Sequence, residues 1–274
     1  MAEDHDGGSC PCKSEHGFSA LIEIGANKIL LDTGATGLFA ENAEKLGIDL
    51  NTVDTVAISH GHFDHIGGLP QLPSGKRIIA HPDMFKRYFS LTFQRFFDPP
   101  VSKDELTEKH HVVLTREAYK IFDDVFFIGE VPRTVPFEGQ GSIVGTVDRE
   151  GTTPDLCKDD TGITVKTAQG LFVLTGCGHS GICNTIEQAK KVTAEDRIYA
   201  ALGGFHYQLP QIDKKNLADL DGTISGAINY FRQNRVQHAY LGHCIYDEVI
   251  DRFERELAGI TTIHRMFSGA EFEI

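Results

Sequence analysis

The sequence predicts a layered α/β protein built on mixed β-sheets, and two observations carry that expectation. Short β-rich runs alternate with stretches of helical spacing through most of the chain. Two early runs, 18–24 and 28–33, meet at Gly25-Ala26-Asn27, a hairpin signal, so antiparallel pairing precedes the strand–helix alternation. Such a mixture argues against one purely parallel sheet. At 274 residues, one large domain over 15–274 is expected, with an aromatic-rich insertion at 83–111 and residues 1–14 irregular or disordered.

In order, "FSALIEI" (18–24) and "KILLDT" (28–33) read as paired strands. "GLFAENAEKLGI" (37–48) has apolar residues at helical spacing and stops at a glycine. "TVAIS" (55–59) is a buried strand running straight into "SHGHFDHIGG", and "RIIAH" (77–81) is a strand ended by Pro82. The run "MFKRYFSLTFQRFFDPP" (84–100) is expected to be helical, either as core packing of an insert or as a wall over a site. "GITVKT" and "LFVLTG" (162–176) form a second hairpin, followed by a helix over 181–193 and a strand over 197–204. Residues 214–233 read as helix, 238–243 as strand and 246–257 as helix.

Composition narrows the function classes. The chain is 41% hydrophobic and 24% charged, and 26 basic against 39 acidic residues give a net charge of −13. That balance excludes a sequence-independent grip on nucleic acid, which needs clustered Lys and Arg. It is compatible with a small anionic substrate held at a cation. The longest apolar runs fall well short of the ~20 residues of a membrane span, so no membrane partner is expected. "MAEDHDGGSC" lacks the basic and apolar regions of a signal peptide, and the six cysteines are scattered, which together predict a reducing cytoplasm and no disulfide framework. Cys10-Pro11-Cys12 has no second pair to complete a zinc knuckle, and a homo-oligomer remains open.

The chemistry concentrates in "SHGHFDHIGG" (59–68), where His60, His62, Asp64 and His65 crowd the turn after a buried strand. An extended backbone points His60 and His62 to one side, while Asp64 and His65 can reach a second point nearby. Imidazole and carboxylate donors suit zinc, iron and related ions, and Gly61, Gly67 and Gly68 permit close approach. Four donors in one turn cannot complete two metal shells. His179 ("LTGCGHSG"), His206 ("ALGGFHY") and His243 ("AYLGHC") each stand at a strand end, where α/β proteins assemble sites. His81 and His238 read as structural, and His16, just before the first strand, is evenly balanced between the two roles.

The motif H-x-H-x-D-H after a buried strand, with later histidines at strand ends, resembles the metallo-β-lactamase superfamily. The segments "EHGFSALIE" (15–23), "FFIGEVPR" (126–133), "LTGCGHSGICNT" (174–185) and "LGGFHY" (202–207) are similar to one subgroup of it, the 7,8-dihydropterin-6-ylmethyl-4-(β-D-ribofuranosyl)aminobenzene-5′-phosphate synthases. The resemblance implies an αββα sandwich with a metal site at one edge of two mixed sheets. It implies two divalent ions, zinc first, with iron or manganese as alternatives. One would be held by His60, His62 and His179, the other by Asp64, His65 and His243, with Asp32 of "LLDTG" orienting a ligand histidine.

The chain departs from the superfamily where a bridging aspartate is usual: here the strand ends in "GGFH", so His206 would ligate or hydrogen-bond to developing charge. Its last motif reads His-Cys-Ile-Tyr, and no strand-like run precedes "EHG". The first expectation is hydrolysis of a small phosphorylated or ester substrate by a metal-activated water, with Asp64 guiding its proton. The alternative is the subgroup's transferase reaction, joining a dihydropterin diphosphate to a ribofuranosylaminobenzene phosphate with pyrophosphate leaving. A third is a non-catalytic binding or sensing module. Substrate contacts are expected from His16, from Ser180, Asn184 and Thr185 at a helix start, and from Phe89 and Phe93 stacking a flat pterin.

Overall fold

The computed structural model describes residues 1–8, 10–90, 93–138, 144–148, 151–207 and 217–274. Strands β1 (Ala20–Ile24) and β2 (Asn27–Leu31) form the expected hairpin. Helix α1 (Leu38–Lys45), strand β3 (Thr55–Ala57), the single-turn helix α2 (Phe63–Ile66) and strand β4 (Arg77–Ala80) follow. Then come β5 (Tyr88–Ser90), β6 (Arg95–Phe97), α3 (Lys103–Lys109), β7 (His111–Leu114), β8 (Tyr119–Phe122) and β9 (Val125–Phe127). Strands β10 (Val144–Asp148), β11 (Gly151–Pro154), β12 (Gly162–Thr167) and β13 (Gly170–Thr175) lead to α4 (Ile182–Thr193) and β14 (Ile198–Gly203). Helix α5 (Leu217–Asn234), β15 (His238–Leu241), α6 (Asp247–Glu256) and β16 (Thr262–Arg265) complete the order. Residues 214–216 of the expected helix lie outside the described residues.

Two mixed sheets stack face to face. One runs β1-β2-β3-β4-β7, antiparallel only at its β1–β2 edge. The other runs β16-β15-β14-β13-β12-β9-β8, parallel from β16 to β13 and antiparallel beyond. Strand alternation decides what each face meets. Ile29, Leu31, Ala57 and Ile79 point inward and pack with Val125, Phe127, Ile163, Phe172, Leu174 and Leu202 of the second sheet. Their neighbours Leu30, Val56 and Ile78 point outward onto Phe39, Ile66 and Leu106 of the helices. Leu171, Val173 and Ala201 face the other way, onto Ile182, Ile186, Phe231 and Phe253 of α4, α5 and α6. The layers are therefore helix, sheet, sheet, helix.

The run 84–100 departs from its helical expectation. A short 3-10 turn at Pro82–Phe85 is followed by β5 and β6, which pair antiparallel and join β10 and β11 in a small third sheet. Its aromatic positions fit a helical stripe and a hairpin equally well, so periodicity alone could not choose. Cross-strand ring pairs decide it: Tyr88 stacks on Phe97 at 5.4 Å and Phe89 meets Phe96 edge-on at 4.9 Å.

At the start of the chain, where an irregular or disordered segment is expected, the described residues make only isolated bridges, Ala2 with Ser19 and Asp6 with Ser268. Yet Ala2 and Glu3 are buried, the amino terminus donates to Ser19 O at 2.8 Å, and the Glu3 amide donates to Ser268 Oγ at 3.0 Å. Residues 1–6 thus lie across the edge where the strand-end histidines gather.

Candidate metal centre

The carboxyl ends of β2, β3, β13, β14 and β15 open onto one edge of the sandwich, and each is followed by a singled-out residue: Asp32, His60, His179, His206 and His243 in turn. Parallel pairing of β2 with β3, and of β14 with β13 and β15, puts these ends side by side. The histidine turn is tight because α2 starts directly after His62, so Asp64 and His65 fall in its first turn. Gly67 allows the turn to press on the β2 loop, since a Cβ there would collide with the Ala35 carbonyl. Gly176 does the same for the β13 loop, where a Cβ would meet Ser59 Oγ and Asp32 Oδ2.

Two donor groups take up the six expected ligands. His60, His62 and His179 form one, all buried, with donor atoms within 4.8 Å of one another and the Nε2 atoms of His60 and His179 only 3.2 Å apart. Asp64, His65, Cys177 and His243 form the other, also buried. There His65 Nε2 lies 3.1 Å from His243 Nε2, and Asp64 Oδ2 lies 3.5 Å and 3.4 Å from those two nitrogens. A tetrahedron of zinc-type bonds has donor–donor edges of roughly 3.3–3.6 Å, close to these separations.

The outward ring nitrogens show why the inward ones converge. His65 Nδ1 donates to Asp32 Oδ2 at 2.7 Å and His243 Nδ1 donates to Asp4 Oδ1 at 2.8 Å. His60 Nδ1 meets Ser59 Oγ at 3.0 Å, and that hydroxyl donates to Asp32 at 2.6 Å. With their Nδ1 atoms paired outward, His65 and His243 turn their Nε2 atoms toward each other and toward Asp64, a close approach of like groups that one cation bound to both nitrogens would relieve. The donor set fits two divalent ions on this chemistry.

Electrostatics agree. Burial pushes His60 and His179 well down and His62 down to about 3, keeping these imidazoles neutral and able to ligate. Burial also works against a charge on His65, yet Asp64 and Asp32 raise it to about 9. His243 is raised likewise against burial, by Cys244 and Asp4, so this cluster attracts positive charge. Burial opposes a charge on Asp64, but His65 and His243 hold it ionised.

Asp32 has a left-handed backbone at φ 59°, uncommon for a non-glycine residue. Its carboxylate accepts the Ser59 amide at 2.7 Å together with the Ser59 hydroxyl and His65, three bonds that hold it there. Two acids invisible to the sequence reading brace the histidine loops: Asp159 accepts the Gly61 amide and Asp160 the Ser180 amide, both at 2.8 Å. Burial pushes them up to about 7 and about 6.

Other expected site residues separate. His206 stands beside His179, ring centroids 4.2 Å apart, and not within the second donor group, so it does not replace the missing carboxylate there. Burial lowers it to about 4, leaving it neutral. His16 lies at the rim, its Nε2 3.5 Å from Asp64 Oδ2 and its Nδ1 3.3 Å from Asp4. Ser180, Asn184 and Thr185 do not form the expected phosphate cradle. The amides of Cys183 and Asn184 donate to Glu138 Oε2 at 2.7 Å and 3.2 Å, so a buried carboxylate already caps α4. Asn184 Oδ1 accepts the amides of Thr134 and Val135, and Thr185 Oγ1 donates to Gly181 O.

Of the aromatic pair, Phe93 remains near the site, 47% exposed and edge-on to Phe63 at 5.6 Å. Phe89, by strand alternation, faces away with Phe96, and Tyr88 takes the inward place, its ring 4.7 Å from His62. Phe63 stacks on Phe97 at 4.4 Å, completing an aromatic wall beside the first donor group. Cys177 and Asp4, like Asp159 and Asp160, are residues that sequence reasoning missed. Cys177 stands two positions before His179, the same spacing as His60 to His62, which was its one available signal.

Comparison with known proteins places this arrangement. The metallo-beta-lactamase superfamily's sequence model matches residues 14–190. The chain is 30% identical to the 7,8-dihydropterin-6-methyl-4-(beta-D-ribofuranosyl)-aminobenzene-5'-phosphate synthase of Methanocaldococcus jannaschii, over 94% of this chain and 93% of that one. An uncharacterized protein of the same organism is 33% identical over 70% of this chain and 73% of its own. A crystal structure described as a metal-dependent hydrolase of the beta-lactamase superfamily superposes with a TM-score of 0.82 at 29% identity, covering 100% of this chain and 96% of that one. The strand-end donors, the two-sheet sandwich and these likenesses agree: the chain belongs to the metallo-beta-lactamase superfamily.

Proposed function

We propose that the chain is an enzyme that joins a 7,8-dihydropterin-6-ylmethyl diphosphate to a ribofuranosylaminobenzene phosphate at a two-metal centre, with pyrophosphate leaving. The observation that carries this reading is the end-to-end likeness to the synthase, 94% of this chain against 93% of that one. That likeness moves hydrolysis, the first expectation from sequence, to second place. Hydrolysis keeps one specific support, the overall likeness to the structure described as a metal-dependent hydrolase.

His60, His62 and His179 would hold one divalent ion, and Asp64, His65 and His243 the other, with zinc the first expectation and iron or manganese compatible with the same donors. Bound ions would supply Lewis-acid polarisation and neutralise charge on the departing diphosphate. Neutral His206, beside His179, would donate an N–H to a phosphate oxygen as negative charge develops on it. His16, at the rim and half exposed, would orient the second phosphate. Asp64, held ionised, is the acceptor for the proton that the attacking aromatic amine loses. The wall of Phe63, Phe93 and Phe97 would stack the flat pterin.

The test is product analysis. Metal-loaded protein is incubated with both substrates and the mixture resolved by mass spectrometry. The condensed product with one pyrophosphate per turnover is expected; pyrophosphate or phosphate release with no condensed product would establish the hydrolytic reading instead.

A further inference from the structure

We propose that Cys177 is a thiolate ligand of the second metal position, supplying the donor that neither a bridging carboxylate nor His206 provides. The inference rests on the two-metal reading above and extends it to a residue outside the superfamily's histidine motif.

Its Sγ lies 3.1 Å from His65 Nε2 and 3.3 Å from His243 Nε2, inside the group completed by Asp64. All four side chains are buried. The Nδ1 atoms of both histidines are already committed to Asp32 and Asp4, so the sulfur faces two inward-turned Nε2 atoms at once. A thiol has one proton and can satisfy one of them; a cation at the centre satisfies all four donors together. Of the other cysteines at this edge, Cys244 lies against Cys177, its Sγ 3.9 Å from the Cys177 carbonyl, but is not one of the four grouped donors. Cys157 Sγ lies 3.6 Å from His62 Nε2, and Cys183, in the first turn of α4, packs in the core.

When the metal–sulfur bond forms, the S–H bond breaks and its proton passes to solvent, with no change of oxidation state. A sulfur donor shifts the second position toward zinc or cobalt and away from magnesium or calcium. It also adds the negative charge that a bridging carboxylate would have contributed.

The experiment strips the full-length chain with a chelator and reloads it with cobalt(II). Wild-type protein is expected to show a near-ultraviolet thiolate-to-cobalt charge-transfer band. Cys177→Ser loses that band and binds its second cobalt at least ~10-fold more weakly. Cys157→Ser and Cys244→Ser keep the band. X-ray absorption on zinc-loaded wild-type protein, which needs no variant to fold, should show a sulfur neighbour at ~2.3 Å. Two bound ions with no charge-transfer band and no sulfur neighbour overturn the assignment while leaving the two-metal reading intact. So does a band that survives Cys177→Ser and disappears in Cys157→Ser. A chain that binds no metal at all overturns both.

Discussion

Asp4 Oδ1 lies 2.8 Å from His243 Nδ1, tying a residue near the start of the chain to a histidine 239 positions later. The opposite oxygen of the carboxylate reaches His16 at 3.3 Å, and Glu3 beside it accepts the His243 amide. Burial would raise the Asp4 carboxyl, but His243 and the His16 hydrogen bond hold it far below the usual carboxylate range. Carboxylates in this position fix the tautomer of a ligating histidine and raise its basicity. Asp4→Ala is therefore expected to weaken the second metal position by ~10–100-fold, and Asp4→Asn by less, because its carbonyl still accepts the N–H. Competitive titration against a chromophoric chelator reads both values; unchanged affinity in Asp4→Ala would separate Asp4 from the site.

His62 belongs to the first donor group and not to the second, so the two positions can be emptied independently. His62→Ala should retain about one ion of two per chain by elemental analysis, without change in the far-ultraviolet circular dichroism. Full metal content in that variant would contradict the assignment of His60, His62 and His179 to one ion.

Asp32 ties the β2 loop, Ser59 and His65 together from a fully buried position. Removing its carboxylate leaves a buried amide and a buried imidazole N–H without an acceptor. Asp32→Ala should cost on the order of 3 kcal/mol even in protein stripped of metal, seen as a lower urea midpoint with unchanged slope. A loss confined to the metal-loaded form would show that Asp32 serves the ligand alone and not the fold.

Glu138 caps α4 where the sequence reading placed a phosphate. Glu138→Ala should destabilise the chain by about 2 kcal/mol while leaving metal content unchanged. Substrate binding that improves in this variant would restore the helix start as an anion site.

Phe93 is 47% exposed and stands against Phe63, so it is free to meet a ligand at little cost to stability. Phe93→Ala should raise KM for the pterin substrate several-fold with kcat and metal content nearly unchanged. Phe89→Ala, on the opposite face of β5, should leave KM alone. Equal effects of the two would place the pterin elsewhere.

Much of the site was legible because its signals are local. Hairpin glycines, a buried strand running into a histidine turn and histidines at later strand ends each occupy a few consecutive residues. Backbone geometry alone then fixes which side chains share a face. The aromatic run 84–100 was not legible because its spacing suits a helix and a hairpin equally, and only pairing with β10 and the Tyr88–Phe97 stack decides. Ser180, Asn184 and Thr185 failed because a helix start looks the same whether a ligand or a distant glutamate caps it.

The sequence by itself determined the layered α/β class and put forward His60, His62, Asp64, His65, His179 and His243 as candidate donors, since both readings follow from short-range order. Only the tertiary structure decided the rest: that Cys177 meets His65 across 112 positions, that Asp4 holds His243, that His206 sides with His179, and that Phe89 faces away. Those relations depend on which distant segments the packed core brings to one edge, and no local period in the chain encodes them.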